Sequence, residues 1–263
     1  MNYALITGAS SGIGLEYARQ LAAMGHHLIV VSNQRETNVT VATELAELYG
    51  ISAIPLYADL SRPEAAADIY NYCQTANLHV DILICNAGML HFGKLVHTDQ
   101  GTVNRIVTLH CTTPAQLCQR FAQEMCKQHE GHILLMSSMA AWTPFPTMSL
   151  YGATKVFLRN FGKSLWYELH DEGVSVTTVY PSAVDTQFFN INENARRRLR
   201  LFGLIISPER LVEGALGAMF SKRRRYIPDL WTRLEIGCCQ LVPTRLFLLF
   251  MRLPAIRKIL NKV

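Results

Sequence analysis

Apolar and polar positions alternate along the chain in two periods, one typical of buried strands and the other typical of helices. Short runs rich in β-branched residues, such as YALIT and LIVVS, predict strands that are buried on both faces. Stretches with apolar residues three and four apart predict amphipathic helices between them. The predicted strands cover 3–7, 28–32, 51–58, 81–85, 132–138, 174–180 and 225–229, and the predicted helices cover 12–25, 37–50, 62–76, 99–128, 149–172 and 207–220.

The alternation of strand and helix predicts an α/β fold with a doubly wound, mostly parallel sheet and helices on both faces. Pro55 in the third strand predicts an edge or distorted position, because proline cannot donate a hydrogen bond to a neighbouring strand. In such sheets the ligand binds at the carboxyl ends of the strands. We therefore expect the chemistry of this chain at the residues that follow each strand.

Composition narrows the class of protein. The chain has 263 residues, of which 49% are hydrophobic and 17% are charged, and this predicts a single folded domain with a sizeable core. The seven cysteines form no C-x-x-C pair, so we expect buried free thiols in a reducing compartment and no metal site. The start MNYALITGAS contains no basic-then-apolar leader, so we expect a cytoplasmic protein.

A glycine-rich loop, TGASSGIG, lies between the first strand and the first helix. Its glycines allow a tight turn close to a pyrophosphate, and the N-terminus of the following helix attracts phosphate. This context predicts nucleotide binding; an ordinary tight turn is the alternative. The candidate cofactor-binding residues of the loop are Gly8, Ser10, Ser11, Gly12, Ile13 and Gly14.

The end of the second strand predicts which dinucleotide is bound. An acidic residue there would hold the ribose hydroxyls of NAD(H), but this chain has Asn33 and Arg35 and no acid before Glu36. Asparagine and arginine can donate hydrogen bonds to a 2′-phosphate. The sequence therefore favours NADP(H) over NAD(H), while a solvated loop with Arg35 facing water is the alternative.

Four further strand ends carry candidate site residues. Ser138 ends the predicted fifth strand and could bind a substrate oxygen. The third, fourth and sixth strands end in DL, CNAG and YPSAVDT. These ends add the candidate cofactor-binding residues Asp59, Leu60, Asn86, Ala87, Gly88, Pro181, Val184 and Thr186.

Tyr151 and Lys155 lie four residues apart in a predicted helix, so their side chains share one face. A positive charge beside a phenol favours the phenolate and would lower the tyrosine pKa from about 10. The pair could thus supply a proton near neutral pH. An ordinary solvated helix surface is the alternative reading.

The motifs TGASSGIG, CNAG, Ser138 and YGATK, in this order and spacing, resemble the classical short-chain dehydrogenase/reductases over residues 1 to about 190. The resemblance implies a Rossmann-type fold and an enzyme, with Tyr151 as general acid, Lys155 as ligand of the nicotinamide ribose and Ser138 as polarising group. Within this family, the basic run KRRRYIP and the apolar tail resemble those of the ketoacyl/ketosteroid-type short-chain reductases. The family resemblance implies a homo-oligomer through the helices at 99–128 and 149–172.

Two positions depart from the family pattern. His110 occupies the position where many members have an asparagine that connects the lysine to solvent, and a histidine could relay protons there. A packed helix histidine is the alternative. Ser182 replaces the glycine that usually follows the proline after the sixth strand, so it lacks the conformational freedom of glycine.

The C-terminal part predicts the kind of substrate. Residues 1–195 hold 10 Lys/Arg and 16 Asp/Glu, whereas residues 196–263 hold 15 and 4. We divide the domain into a cofactor and catalytic core (1–190), a substrate-covering segment (191–225) and an apolar, basic tail (226–263). Prolines and arginines interrupt the tail, so it suits either peripheral contact with anionic lipid or an oligomer contact or lid. The stretch after the sixth strand, QFFNINENARRRLRLFGLI, contains apolar candidates for a substrate pocket: Phe188, Phe189, Leu199, Leu201 and Phe202.

These features together predict an NADPH-dependent reductase of an apolar ketone, working in reverse as an alcohol dehydrogenase. The substrate would be acyl-chain, sphingoid or steroid-like. A dinucleotide-sensing protein without turnover and a membrane-surface protein with a structural cofactor are the alternatives. Nucleic acid is not an expected partner, because the basic residues are interleaved with aliphatic rather than aromatic side chains.

Overall fold

Seven parallel strands form one sheet in the computed structural model, which describes residues 1–142, 145–182, 184 and 205–241. The strands are β1 (Asn2–Thr7), β2 (His27–Ser32), β3 (Ala53–Tyr57), β4 (His79–Cys85), β5 (Gly131–Met136), β6 (Val174–Val179) and β7 (Arg225–Tyr226). Their order is β3-β2-β1-β4-β5-β6-β7. The predicted α/β fold with a doubly wound parallel sheet is confirmed, and Pro55 lies in the edge strand β3 as expected.

Helices connect these strands and cover both faces of the sheet. Their bounds are α1 (Gly12–Ala23), α2 (Arg35–Tyr49), α3 (Ala65–Thr75), α4 (Gln100–Val107), α5 (Thr113–Gln128), α6 (Ser149–Leu169), α7 (Pro208–Phe220) and α8 (Leu230–Leu241). No helix within the described ranges is long and apolar enough to cross a membrane.

The helix predicted over 99–128 is interrupted. Asp99 caps α4, because its carboxylate accepts hydrogen bonds from the Thr102 N–H (2.8 Å) and hydroxyl (2.6 Å). A π-helical turn at 108–112 then separates α4 from α5. Pro114 lies in the first turn of α5, where its missing N–H and its ring disfavour a continuous α-helical ladder. The turn places His110 in the protein interior.

Two apolar clusters pack on opposite faces of the sheet. Alternate side chains of β1 divide between them: Ile6 lies in one cluster with α1, α2 and α7, and Leu5 lies in the other with α3, α5 and α6. Both side chains are fully buried, which stabilises the fold by about 1.5–3 kcal/mol each. Because both faces are packed, polar groups can reach solvent at the strand ends.

Candidate active site

The glycine loop has the backbone conformation that its sequence predicts. Gly8 and Gly12 have φ angles of +70° and +55°, which side chains with a Cβ rarely adopt. A Cβ at Gly14 would overlap the Gly8 carbonyl group. The loop leads into the exposed N-terminus of α1 at Ser11 and Gly12, so its shape fits a dinucleotide pyrophosphate.

A buried threonine ties the glycine loop to the CNAG loop after β4. The Thr7 hydroxyl accepts hydrogen bonds from the backbone N–H groups of Asn86 (2.9 Å) and Ala87 (3.0 Å), and it donates to the Ile84 carbonyl (3.2 Å). The Asn86 amide donates in turn to the Thr7 carbonyl (3.0 Å). The Asn86 side chain therefore holds the backbone of the first loop in place. Sequence reasoning missed Thr7, although it is the first residue of TGASSGIG.

The polar residues after β2 lie beside the glycine loop. The Ser32 hydroxyl donates to the Ser10 hydroxyl (2.8 Å), and both side chains are buried. Asn33 and Arg35 are exposed, and the Arg35 guanidinium lies 4.5 Å from the centre of the Tyr57 ring. This cation–π contact holds the guanidinium at the ends of β2 and β3.

The two candidate residues after β3, Asp59 and Leu60, form hydrogen bonds with other protein groups. Asp59 accepts hydrogen bonds from the Ser61 hydroxyl (2.7 Å) and N–H (3.0 Å), and these bonds hold the pKa of its carboxyl below the ordinary value. The Leu60 carbonyl accepts a hydrogen bond from the Thr113 hydroxyl of α5 (2.8 Å). The two residues thus lie at the cofactor end of the sheet in a fixed turn.

Ser138, Tyr151 and Lys155 come together where β5 ends and α6 begins. The Ser138 hydroxyl lies beside the Tyr151 phenol and lowers its pKa. The Ser138 oxygen accepts a hydrogen bond from the Ala140 N–H (3.1 Å). The Lys155 ammonium lies 5.5 Å from the centre of the Tyr151 ring and donates to the Met136 carbonyl (2.8 Å). The helical spacing of Tyr151 and Lys155 therefore puts both groups beside Ser138.

Burial sets the protonation of this trio. It raises the pKa of Tyr151, and the neighbouring Ser138 hydroxyl opposes this shift only in part. The sequence-based expectation of a lowered Tyr151 pKa is not met, because burial of the phenol outweighs the groups that favour the phenolate. Burial also lowers the pKa of Lys155 to about 8.

His110 is buried beside the trio, and both ring nitrogens have protein partners. Its Nε2 accepts from the Met89 N–H (2.9 Å), so Nδ1 carries the proton and donates to the Thr154 hydroxyl (2.9 Å). The Thr154 hydroxyl donates to the Tyr151 carbonyl (2.7 Å). Burial and then the charge of Lys155 hold the pKa of His110 well below 6.5. The imidazole is therefore neutral and links the loop after β4 to α6.

The remaining candidates lie after β6. The Pro181 carbonyl accepts from the Met139 N–H (2.9 Å), and Val184 forms a parallel bridge with Ile206. The contact of Pro181 brings this strand end next to the loop of Ser138. Thr186, the apolar pocket candidates of 188–202 and the tail beyond 241 lie outside the described residues.

The described cysteines are free thiols that differ in exposure. Cys73, Cys85 and Cys118 are buried and free, as expected, but Cys238 is exposed on α8. Within the described ranges, no group of three His, Cys, Asp or Glu side chains could hold a metal ion.

Two known proteins with similar sequences are named as an oxidoreductase and a reductase. An uncharacterised oxidoreductase of Bacillus subtilis is 36% identical over 191 residues, which are 71% of this chain and 76% of the relative. A very-long-chain 3-oxoacyl-CoA reductase of Neurospora crassa is 32% identical over 237 residues, which are 88% of this chain and 68% of the relative.

The fold and the family model agree with these relatives. A short-chain dehydrogenase from Sphingobium yanoikuyae, solved in complex with NADPH, superimposes with a TM-score of 0.78 at 29% identity and covers 92% of this chain and 97% of its own. The family model for short chain dehydrogenases matches residues 2–197. The chain therefore belongs to the short-chain dehydrogenase family, and it is an oxidoreductase that acts on alcohols or ketones.

Proposed function

We propose that this enzyme reduces the ketone group of an apolar molecule with NADPH and catalyses the reverse oxidation when reactant ratios demand it. The adjacent hydroxyl groups of Ser138 and Tyr151, with the Lys155 ammonium 5.5 Å from the centre of the phenol ring, carry this proposal. They lie at the carboxyl end of a parallel sheet whose first loop fits a dinucleotide.

The side chains divide the work of reduction as follows. Bound NADPH supplies the hydride for the carbonyl carbon. Ser138 donates a hydrogen bond to the carbonyl oxygen, and Tyr151 donates the proton that this oxygen needs as it becomes a hydroxyl. The raised pKa of Tyr151 keeps the phenol protonated, as a general acid requires. The Lys155 ammonium supplies positive charge that stabilises the phenolate left after proton transfer.

The preference for NADPH follows from the charges after β2. Arg35 is exposed, is held over the Tyr57 ring and has no acidic residue between it and the strand. A guanidinium in this place can bind the 2′-phosphate that distinguishes NADPH from NADH, whereas a carboxylate would repel it. The NADPH bound to the Sphingobium enzyme supports the same choice.

An apolar substrate is favoured by the loop that follows CNAG. This loop exposes Phe92 (44%), Leu95 (52%) and Val96 (83%), although large apolar side chains are usually buried. The Gly93 N–H donates to the Thr147 carbonyl (2.8 Å), four residues before Tyr151, so the loop borders the catalytic helix. The N. crassa relative carries the name of a very-long-chain 3-oxoacyl-CoA reductase. We therefore propose acyl-chain ketones as the first substrates to test, before sphingoid and steroid-like ketones.

The proposal is tested by following the loss of reduced-nicotinamide absorbance with a panel of ketones. Tyr151→Phe deletes the proton donor and keeps the ring, so turnover should fall by about 10²–10⁴-fold while NADPH binding is retained. Ala153→Ser, a change at the exposed position two residues away, is the matched control and should keep full turnover. Unchanged turnover in Tyr151→Phe would remove Tyr151 from the mechanism.

We also propose a homo-oligomer that forms through α5 and α6. The exposed face of α6 carries Phe157, which stacks on Phe161, and Tyr167. Burial of such side chains against a second copy would stabilise a dimer. Light scattering should give a larger mass for the wild-type protein than for Phe157→Asp, and equal monomer masses would overturn the proposal.

A further inference from the structure

A basic cavity lies between α6 and the strands β6 and β7 at one edge of the sheet, and the proposed reaction does not use it. Its volume is about 410 Å³. Four cationic side chains line it, Arg159 and Lys163 from α6 and Arg224 and Arg225 from the chain at β7, and no acidic side chain does. Within the described residues none of the four forms a salt bridge. These four positive charges repel one another, and a bound anion would reduce this repulsion.

The walls of the cavity hold two of these charges in place. The Arg159 guanidinium stacks 4.4 Å from the centre of the Trp142 ring and donates to the Ala141 carbonyl (2.8 Å). The Trp142 ring meets the buried Tyr180 ring edge to face at 5.7 Å. Arg224 lies 5.9 Å from the centre of the Tyr167 ring. A ligand would therefore meet cations whose positions are already restricted, which reduces the entropy cost of binding.

Polar groups on the wall also point to an anion. The Trp142 indole N–H is buried, and no group in the described part of the chain accepts a hydrogen bond from it. Burial raises the pKa of the Tyr180 phenol, and the nearby Thr178 hydroxyl and the charges of Arg159, Arg224 and Arg225 oppose this shift. A buried donor without a partner among the described residues thus belongs to the lining of a cavity that also contains three arginines.

We propose that this cavity is a second anion site, which binds a phosphate monoester or diphosphate group. Guanidinium groups bind phosphate oxygens in pairs, and the indole N–H would find its acceptor there. The volume exceeds that of one phosphate, so the ligand is a phosphate that belongs to a larger molecule or a diphosphate. A soluble phosphate compound and a phospholipid headgroup share this chemistry.

The site is coupled to the catalytic loop through its own residues. Ala141, whose carbonyl accepts from Arg159, comes three residues after Ser138, and Arg159 comes one helical turn after Lys155. A phosphate that draws Arg159 toward the cavity would act on the same loop that holds Ser138. The site therefore offers a place where a phosphate-bearing molecule modulates the enzyme without occupying the ketone position.

The test uses the full-length protein saturated with NADP(H), so that the glycine loop is blocked. Pyrophosphate is titrated by calorimetry, and vesicles of phosphatidylcholine with and without phosphatidic acid are tested by co-sedimentation. Lys163→Gln/Arg225→Gln removes two exposed charges of the cavity, and Arg210→Gln/Arg233→Gln removes two exposed charges from α7 and α8 as the matched control. Trp142→Phe removes the indole N–H and keeps an aromatic ring.

Pyrophosphate affinity should fall about tenfold or more in the cavity double variant and should weaken in Trp142→Phe, with the control close to wild type. This result identifies a soluble phosphate as the source. Binding to phosphatidic acid vesicles alone, weakened by the same variants, identifies a lipid headgroup. The proposal is overturned if neither probe binds, or if the control double variant weakens binding as much as the cavity variant does.

Discussion

The buried histidine beside the catalytic trio is expected to stabilise the fold only in its neutral form, and its two hydrogen bonds can be tested separately. Glutamine places its amide near the position of the imidazole Nε2, so His110→Gln keeps the bond from the Met89 N–H and loses the bond to Thr154. Asparagine ends near the position of Nδ1, so His110→Asn keeps the Thr154 contact and leaves the Met89 N–H without an acceptor.

The two substitutions should differ in stability because the groups they abandon differ. A buried backbone N–H without a partner costs about 1–3 kcal/mol, whereas loss of one ordinary neutral hydrogen bond costs about 0.5–1.5 kcal/mol. The Thr154 hydroxyl still donates to the Tyr151 carbonyl when His110 no longer contacts it. We therefore expect His110→Asn to be less stable than His110→Gln by about 1 kcal/mol at neutral pH.

The pH dependence gives a second, independent measurement. The pKa of His110 in the folded protein lies well below the unfolded value of about 6.5 because of burial and the charge of Lys155. As the pH falls below about 6.5, the unfolded chain gains a proton that the folded protein does not bind. The stability present above this pH is then lost at about 1.4 kcal/mol per pH unit, down to the folded pKa. Neither variant contains this imidazole, so neither should show its contribution.

Urea unfolding followed by circular dichroism, at several pH values between about 5 and 7.5, measures both effects. His132 also has a lowered pKa, but it is present in all three proteins and cancels in their differences. Parallel stability curves for the wild type and His110→Gln, or a His110→Gln protein less stable than His110→Asn, would falsify the assignment. The shape of the kcat profile should not change in His110→Gln, because a permanently neutral His110 relays no proton in this range.

Three further predictions follow from the site. Arg35→Ala should raise the KM for NADPH about tenfold and leave the KM for NADH unchanged, and equal effects on both cofactors would exclude a 2′-phosphate contact. The kcat/KM for NADPH should fall as the pH rises through about 8, where Lys155 loses its charge, and a flat profile would contradict this role. Gly14→Ala should abolish NADPH binding measured by fluorescence, because its Cβ would overlap the Gly8 carbonyl; Gly217→Ala in α7, where a Cβ meets nothing within 4 Å, is the control for binding.

The sequence predicted the parts of this molecule that depend on local pattern. The strand and helix periods, the glycine turn and the spacing of Tyr151 and Lys155 are local, and the fold that they imply is confirmed. The π-helical turn at 108–112 was not predicted, because one inserted residue changes the spacing of apolar positions very little. Pro114 was the sequence signal for the interruption. The raised pKa of Tyr151 depends on burial by distant segments. Likewise, Arg159 and Arg224 are distant in sequence and meet only in the folded sheet.

The Thr7 hydroxyl ties the glycine loop after β1 to the CNAG loop after β4, so the two loops should move together. A shift of the glycine loop must therefore displace the CNAG loop after β4, which leads into the loop that borders the catalytic helix α6. Removal of the Thr7 hydroxyl group should therefore raise the Michaelis constants for the dinucleotide and for the ketone together. Serine is the only other residue type whose side chain could make the same three bonds, so tolerance to substitution should be narrow at this position.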